Sequence, residues 1–252
     1  MSDSYDNNDG NDGNSEKYGC FTTVRAESLP GEAGVGVHGW SRHVARLQRD
    51  TAALFGSPVT ADAMASGLLR GVANSGLALP HLVRLAVEGP DLSLSVTSRA
   101  LTPSATPLRV QVVRHDRMRP EMKHTATAPE FAVRDAAIQA GYDDAVLLTA
   151  DGLLSEGTTW SLVLGRPDGT WVTPAARVLP SVTVSLVSER VTLALAEVPE
   201  ASLAEFDRAA ALSSGRGVHP IASIGSVHFA GSVDILSAAY AAAPLEPVAS
   251  QA

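Results

Sequence analysis

Apolar and polar positions in the first half of the chain follow two periods, one typical of strands and one typical of helices. Short runs rich in β-branched and other apolar residues predict strands at residues 20–25, 82–87, 92–97 and 108–114. Longer runs with a helical repeat predict helices at residues 43–55 and 60–74, and Gly56 is placed to end the first of them. This alternation of strands and helices predicts a small α/β domain.

The pattern changes after residue 114. Residues 115–122 are charged and lack a regular period, so we expect them to connect two domains. Residues 129–140 predict a helix, because Pro129 suits a first helical position and Gly141 can end the helix. The side chains expected to face inward from this helix are Phe131, Ala132, Ala136 and Ala140.

The last part of the chain has shorter elements. The strands predicted there are residues 145–149, 160–164, 171–173 and 191–196. The second and third of these form a hairpin around Pro167-Asp168-Gly169. Ser202 and Glu205 have the spacing of a capping box, which predicts the start of another helix.

The domain organisation follows from these elements. Residues 1–17 are rich in Asn, Asp, Gly and Ser and cannot bury apolar area, so we expect a disordered acidic tail. After it we expect a small N-terminal domain at residues 18–114, the connection at 115–122 and a larger domain at 123–252. The fold class expected for the whole chain is mixed α/β (α+β).

Composition narrows the function classes. The chain has 252 residues, a formal net charge of −8 and a single cysteine. No apolar run suits a membrane helix, the first residues lack the order of a signal peptide, and Cys20 alone cannot form an internal disulfide, so we expect a cytoplasmic protein. The acidic balance argues against nucleic acid as a partner. Seven histidines without recurrent close spacing predict no metal site.

Several short segments in a fixed order carry the functional signal. They are residues 21–25 (FTTVR), 43–47 (HVARL), Lys123, 141–148 (GYDDAVLL), 155–157 (SEG), 173–174 (TP) with 179–183 (LPSVT), and 213–221 (SSGRGVHPI). Each segment is loose by itself, but together and in register they are specific. The chain resembles the class IV aminotransferase family over roughly residues 20–229. That family contains branched-chain and D-amino-acid aminotransferases and aminodeoxychorismate lyases.

The resemblance implies a fold-type IV enzyme that uses pyridoxal 5'-phosphate, with a small N-terminal α/β domain and a larger β-rich domain with packed helices. Lys123 would form the Schiff base, which requires a neutral amine, and Glu156 would face the pyridine nitrogen. Arg46 would hold the phosphate. The resemblance and the positions of neighbouring residues add further cofactor-binding candidates, namely Ser161, Val182, Thr183, Ser214 and Gly215.

The substrate-binding candidates rest on position alone. They are Arg25, His38, Arg99 and Trp160, with Trp40, Arg114 and His219 as further residues of the same kind. A carboxylate substrate would require an arginine among them. The expected substrate is a small amino acid and keto acid pair.

The family pattern is not followed everywhere, and three functions stay open. Ser181 replaces the family's glycine, Ser161 a frequent asparagine, and Ala128 the tyrosine that many transaminases carry five residues after the lysine. An aminotransferase is the first hypothesis. The second is aminodeoxychorismate lyase, which forms 4-aminobenzoate, because some lyases share the pair Lys123-His124 and lack the tyrosine. The third is a catalytically weakened relative that keeps the fold for binding.

Assembly is the last expectation. The resemblance implies a homodimer in which each site is completed by the partner's small domain. In this chain the segments expected to reach across are residues 21–25 and 38–41.

Overall fold

A computed structural model of the chain describes residues 18–31, 33–102 and 106–249, and the predicted tail at residues 1–17 lies outside these ranges. The α-helices are α1 (Trp40–Phe55), α2 (Ala61–Asn74), α3 (Ala128–Gln139), α4 (Val182–Val187) and α5 (Asp234–Ala241). The strands are β1 (Gly19–Ser28), β2 (Val35–His38), β3 (His81–Glu88), β4 (Ser93–Ala100), β5 (Leu108–Arg114), β6 (Asp144–Leu148), β7 (Leu154–Gly157), β8 (Ser161–Gly165), β9 (Trp171–Pro174), β10 (Leu193–Ala196), β11 (Arg208–Ser213), β12 (Gly217–Ile224), β13 (Val227–His228) and β14 (Leu245–Pro247).

These elements form two sheets, so the predicted mixed α/β class is confirmed. The five-stranded sheet has the order β14-β2-β1-β3-β4. The nine-stranded sheet has the order β10-β9-β8-β11-β12-β5-β6-β7, with β13 paired to β12. A further pairing between β7 and β8 closes six of its strands into a ring. Within the described ranges, no helix is long and apolar enough to cross a membrane.

Successive side chains along each strand of the five-stranded sheet point to opposite faces of the sheet. On β1, Val24 faces α1 and α2 and packs with Leu47, Leu68 and Leu85 in one core cluster. The alternate β1 residues, such as Thr23, face the other way and line a cavity. The two helices predicted in this half of the chain are confirmed as α1 and α2, and α1 ends at Gly56, which adopts a left-handed conformation with φ of 78°.

One predicted strand belongs to the other half of the molecule. Residues 108–114 form β5 as predicted, but β5 lies in the nine-stranded sheet and not with the first domain's strands. It pairs in parallel with β6, from Val110 opposite Asp144 to Arg114 opposite Leu148, and α3 is the crossover between them. Parallel pairing joins residues that are distant in sequence, so a local pattern cannot reveal it. The last strand, β14, returns to the five-stranded sheet and pairs with β2.

Two local predictions were wrong. In α3, Phe131, Ala132, Ala136 and Ala140 are exposed, whereas Glu130 and Ala137 are buried. The helix therefore packs through a different face, because β5 and β6 meet it on the side of Ala137. The segment with the expected capping box forms a short 3₁₀ helix (Glu200–Glu205) and not the start of an α-helix. The hydroxyl of Ser202 donates to the carbonyl of Pro199 at 2.8 Å.

Candidate active site

A cavity of about 1000 Å³ lies between the two sheets. One wall is the face of the five-stranded sheet that points away from α1 and α2, and the nine-stranded sheet with its adjoining segments forms the other. Every predicted cofactor residue lines this cavity: Arg46, Lys123, Glu156, Ser161, Val182, Thr183, Ser214 and Gly215. The structure thus brings together residues from both halves of the chain.

Lys123 lies in the irregular segment between β5 and α3, and both its backbone N–H and its carbonyl are hydrogen-bonded. Its backbone N–H donates to Oδ2 of Asp50 at 3.0 Å. Its carbonyl accepts from the N–H of Phe21 at 2.9 Å. The Nζ atom lies 4.6 Å from the ring centroid of Phe21, over the aromatic face. The lysine therefore projects into the cavity from a fixed backbone.

The surroundings of Lys123 favour the neutral amine. Burial is the largest effect, and the positive charges of Arg46 and Arg117 add to it, while Glu156 acts in the opposite direction. Together they lower the pKa of Lys123 to about 7. Near neutral pH a large share of the amine is unprotonated, as nucleophilic attack requires.

Glu156 is a buried carboxylate on β7, with 3% of its surface exposed. NH1 of Arg117 donates to its Oε1 at 3.2 Å, and the Leu179 N–H lies 3.4 Å from each carboxylate oxygen. Burial raises the pKa of Glu156, and Arg117, the Leu179 amide and Lys123 oppose that rise. These neighbours favour the negative charge in a site that would otherwise favour protonation.

Packing explains why the residue after Glu156 is a glycine. A Cβ atom at Gly157 would overlap the indole of Trp160, which is buried. The Gly157 N–H donates to the Trp160 carbonyl at 2.8 Å, and Glu156 pairs with Ser161 across the turn. The turn therefore fixes the strand position from which Glu156 reaches the cavity.

Arg117 was not among the predicted site residues. It lies within the charged segment 115–122, where neighbours such as Asp116 and Glu121 suggested a solvated loop. Its side chain is only 6% exposed because the fold places it against Glu156. No local pattern in the sequence distinguishes it from its exposed neighbours.

Arg46 reaches the cavity from α1. Its NH2 donates to Oγ1 of Thr22 at 3.0 Å and its NH1 to the Pro180 carbonyl at 3.3 Å. Its Nε is buried and has no partner within the described residues. Burial lowers the pKa of Arg46 to about 10, so the guanidinium stays charged at neutral pH. A buried cation with an unused donor fits an anionic ligand.

His43 supports Arg46 through Thr22. The His43 Nδ1 lies 2.7 Å from Oγ1 of Thr22, which also accepts from Arg46. The Thr22 hydroxyl can therefore donate its own proton to His43. Burial, followed by the charges of Arg46 and Lys123, lowers the pKa of His43 well below its usual value, so the ring is neutral and can accept.

The segments around α4 and the β11–β12 turn place two further hydroxyls at the cavity. Oγ1 of Thr183 lies 3.3 Å from Oγ of Ser214. Ser181, at the expected glycine position, accepts the N–H of Val184 at 3.3 Å and so caps the start of α4.

Among the substrate candidates, Arg25, Arg99 and Trp160 line the cavity, as does His219. His38 does not line it. Its ring lies 5.2 Å from that of Tyr240, and its Nδ1 is 3.3 Å from the Pro244 carbonyl, because β2 is held between β1 and β14. Trp40 and Arg114 also lie outside the lining.

Arg84 is a cavity residue that the sequence analysis missed. On the face shared with Arg25 and Arg99, its guanidinium carbon lies 3.7 Å from the ring centroid of Phe21. Burial, and then Arg99, lowers the pKa of Arg84. Neither Arg84 nor Arg99 forms an ion pair with an acidic side chain in the part of the chain that the structure describes.

The donor set fits pyridoxal 5'-phosphate. The phosphate would meet Arg46, whose Nε has no partner among the described residues. The cofactor aldehyde would meet Lys123, whose pKa is about 7. The ring nitrogen would meet Glu156, the buried carboxylate whose negative charge Arg117 favours.

Comparisons with known proteins identify the family and the fold. The family model described as amino-transferase class IV matches residues 19–224. The structure of a branched-chain aminotransferase from Thermoproteus uzoniensis is 21% identical, with a TM-score of 0.77 over 92% of this chain and 90% of that one.

Two further solved structures have the same fold. A putative 4-amino-4-deoxychorismate lyase from Legionella pneumophila is 17% identical, with a TM-score of 0.72 over 88% of each chain. A hypothetical aminotransferase from Mycobacterium tuberculosis in its PLP-bound form is 14% identical, with a TM-score of 0.75 over 89% of this chain and 88% of that one. No curated protein matches this chain. The chain belongs to the class IV aminotransferase family.

Proposed function

We propose that this protein is a pyridoxal-phosphate-dependent aminotransferase that acts on an amino acid and keto acid pair through Lys123. The observation that carries the proposal is the meeting, in one cavity, of Lys123 with a pKa of about 7 and the buried carboxylate of Glu156. Family membership supports the cofactor.

The residues would divide the work as follows. When bound, the cofactor supplies an electron sink for negative charge at the substrate's α-carbon. Lys123 would hold the cofactor covalently between turnovers, and its Nζ would then take up the substrate's α-proton and deliver it to the cofactor's aldehyde carbon. Glu156 would keep a proton on the ring nitrogen, and the positive charge of Arg117 favours the ionised form of Glu156.

The phosphate would be held by Arg46 and by the hydroxyls of Thr183 and Ser214. A guanidinium fork suits phosphate oxygens, and hydroxyl groups can donate to the remaining ones. Ser161, Val182 and Gly215 lie on the same lining and complete the proposed cofactor set. Because the phosphate does not change during the reaction, these contacts contribute to uniform binding.

The substrate carboxylate would meet the arginines of the five-stranded sheet. Arg25, Arg84 and Arg99 lie on the cavity face of β1, β3 and β4. The guanidinium of Arg25 is 3.2 Å from Glu27, whereas Arg84 and Arg99 keep their charge available to a ligand. Trp160 forms part of the same lining and would limit the size of the substrate.

The lyase reaction is the second candidate. Ala128, at the start of α3, provides no hydroxyl where many transaminases carry a tyrosine, and Lys123 is followed by His124. Purified protein that shows an absorbance band in the aldimine region, abolished by borohydride and dialysis, would support the cofactor. Release of pyruvate from aminodeoxychorismate would then favour the lyase, and amino exchange between an amino acid and a keto acid the aminotransferase. Protein that binds the cofactor and does neither would favour a binding role.

A cytoplasmic homodimer completes the proposal. Exposed apolar side chains in the described part include Phe131, Ile138 and Ile235, which a partner subunit could cover. Cofactor binding would stabilise that dimer by mass action. Light scattering on cofactor-loaded protein tests it, since a monomeric mass for active protein contradicts both the dimer and a shared site.

A further inference from the structure

Asp50 is a buried acid that the proposed chemistry does not use. It lies on α1 with 1% of its surface exposed. It follows His43 by seven residues and Arg46 by four, so the three side chains share one face of the helix. This face points to β1 and to the segment that carries Lys123.

Both carboxylate oxygens of Asp50 are used. Oδ2 accepts the backbone N–H of Lys123 at 3.0 Å. Oδ1 accepts from Nε and NH2 of Arg49 at 3.0 and 2.6 Å. The same NH2 group donates to the carbonyl of Glu121 at 3.0 Å. Together, Asp50 and Arg49 hold the backbone of residues 121–123 from the side of α1.

The opposite side of this segment is held by β1. The N–H of Phe21 donates to the Lys123 carbonyl at 2.9 Å, and the N–H of Thr125 donates to the Gly19 carbonyl at 2.8 Å. Between them, Cys20 and His124 form an isolated bridge. The Lys123 N–H points away from β1, so its partner is a side chain. A buried N–H group without a partner is costly, and Asp50 satisfies it.

Resting on the proposed function, we propose that Asp50 is the positioning residue for Lys123. Its carboxylate fixes the peptide group from which the amine projects. Asp50 lies four residues after Arg46, which is about 6 Å along a helix axis. The rigid α1 therefore sets the spacing between the lysine and the guanidinium that would hold the phosphate.

The test compares Asp50→Ala with Asp50→Asn in the full-length protein. Alanine leaves the Lys123 N–H without a partner, so we expect local hydrogen exchange at residues 121–123 to rise. Covalent attachment of pyridoxal phosphate, trapped with borohydride and mapped by mass spectrometry, should slow by roughly a hundredfold, the size expected for a displaced reacting group. Asparagine keeps an acceptor oxygen and should retain both properties near the wild-type level.

Asp62→Ala is the matched control, because Asp62 is an exposed acid on α2. If Asp50→Ala does not fold, Asp50→Ser replaces it, since the shorter side chain also leaves the N–H unpaired. A purely structural role would lower exchange protection along all of α1 and not only at residues 121–123.

Two results would overturn the proposal. One is that the alanine or serine variant attaches the cofactor, and protects residues 121–123 from exchange, as well as the wild type does. The other is that the asparagine variant is as impaired as the alanine variant. Failure of the wild type to attach the cofactor at Lys123 would instead remove the proposed function. Hydrogen exchange at Lys123 would then still decide whether Asp50 fixes its backbone.

Discussion

The two walls of the cavity carry their charges in different ways. On the nine-stranded sheet, the acids lining the cavity have arginine partners, with Arg117 3.2 Å from Glu156 and Arg134 3.6 Å from Asp144. On the five-stranded sheet, Arg84 and Arg99 face the cavity without an acidic ion-pair partner among the described residues.

This difference separates positioning from recognition. Buried charges are expensive to desolvate and are retained when a partner and good geometry hold them, so paired groups stay in place. A cation without a partner is stabilised when an anion enters the cavity. We therefore interpret the nine-stranded wall as the one that orients the cofactor ring and the five-stranded wall as the one that binds acidic groups.

The largest expected effect comes from Lys123, which lies between the walls. Lys123→Met should hold no borohydride-fixed cofactor and should lose at least about 10⁴-fold in turnover, the size seen when a nucleophile is removed. The sequence contains one other lysine, Lys17, so Lys17→Ala is the control and should keep both properties. A trapped cofactor peptide that maps to Lys17 would contradict the assignment.

Glu156→Gln tests the paired wall. An uncharged amide no longer holds a proton on the ring nitrogen, so turnover should fall by about 10²–10³-fold while the cofactor stays bound. The absorbance spectrum measures retained cofactor, and steady-state kinetics measures turnover. Unchanged turnover would remove Glu156 from the site.

Arg46→Ala tests the phosphate contact. We expect the dissociation constant for pyridoxal phosphate to rise about 10²-fold, the size of one strong charge-assisted hydrogen-bonded contact, with little loss of activity at saturating cofactor. Arg42→Ala on the same helix is the control, because Arg42 pairs with Glu189 and does not line the cavity. If saturating cofactor fails to restore activity, Arg46 has a role beyond binding the cofactor's phosphate.

Arg99→Met tests the unpaired wall. Because this arginine would bind only the acid group of the substrate, KM should rise about tenfold while kcat changes little. Arg70→Met, an exposed position on α2, serves as the control. An equal fall in kcat and kcat/KM would assign Arg99 to the reacting centre instead.

The last prediction concerns stability and not activity, and it is a pH dependence of the cofactor-free protein. The pKa of Lys123 is about 7 in the folded state and about 10.4 in an unfolded chain. Between these two pH values the unfolded chain binds more protons than the folded protein, so the contribution of Lys123 makes the folded state more stable as the pH rises. The equilibrium constant for folding should increase by up to about tenfold per pH unit. Denaturant unfolding at pH 7 to 10 measures this, and the rise should be smaller in Lys123→Met.

Local patterns predicted much of the molecule. The strand at residues 108–114 and the helix ending at Gly56 were predicted correctly, because side-chain period and glycine conformation act over a few residues. The family assignment was also confirmed, because it depends on short segments and their order. The sequence by itself therefore determined the element types, the fold class and the residues to consider, such as Lys123 and Glu156.

Only the tertiary structure decided how these residues are held and charged. Parallel pairing placed β5 in the nine-stranded sheet, and packing turned the apolar side chain of Phe131 outward. Arg117 and Asp50 resemble solvated charges in the sequence, yet they contact Glu156 and the Lys123 backbone. The physical reason is that burial, pKa and ion pairing depend on residues from distant parts of the chain, which meet only when the two sheets enclose the cavity.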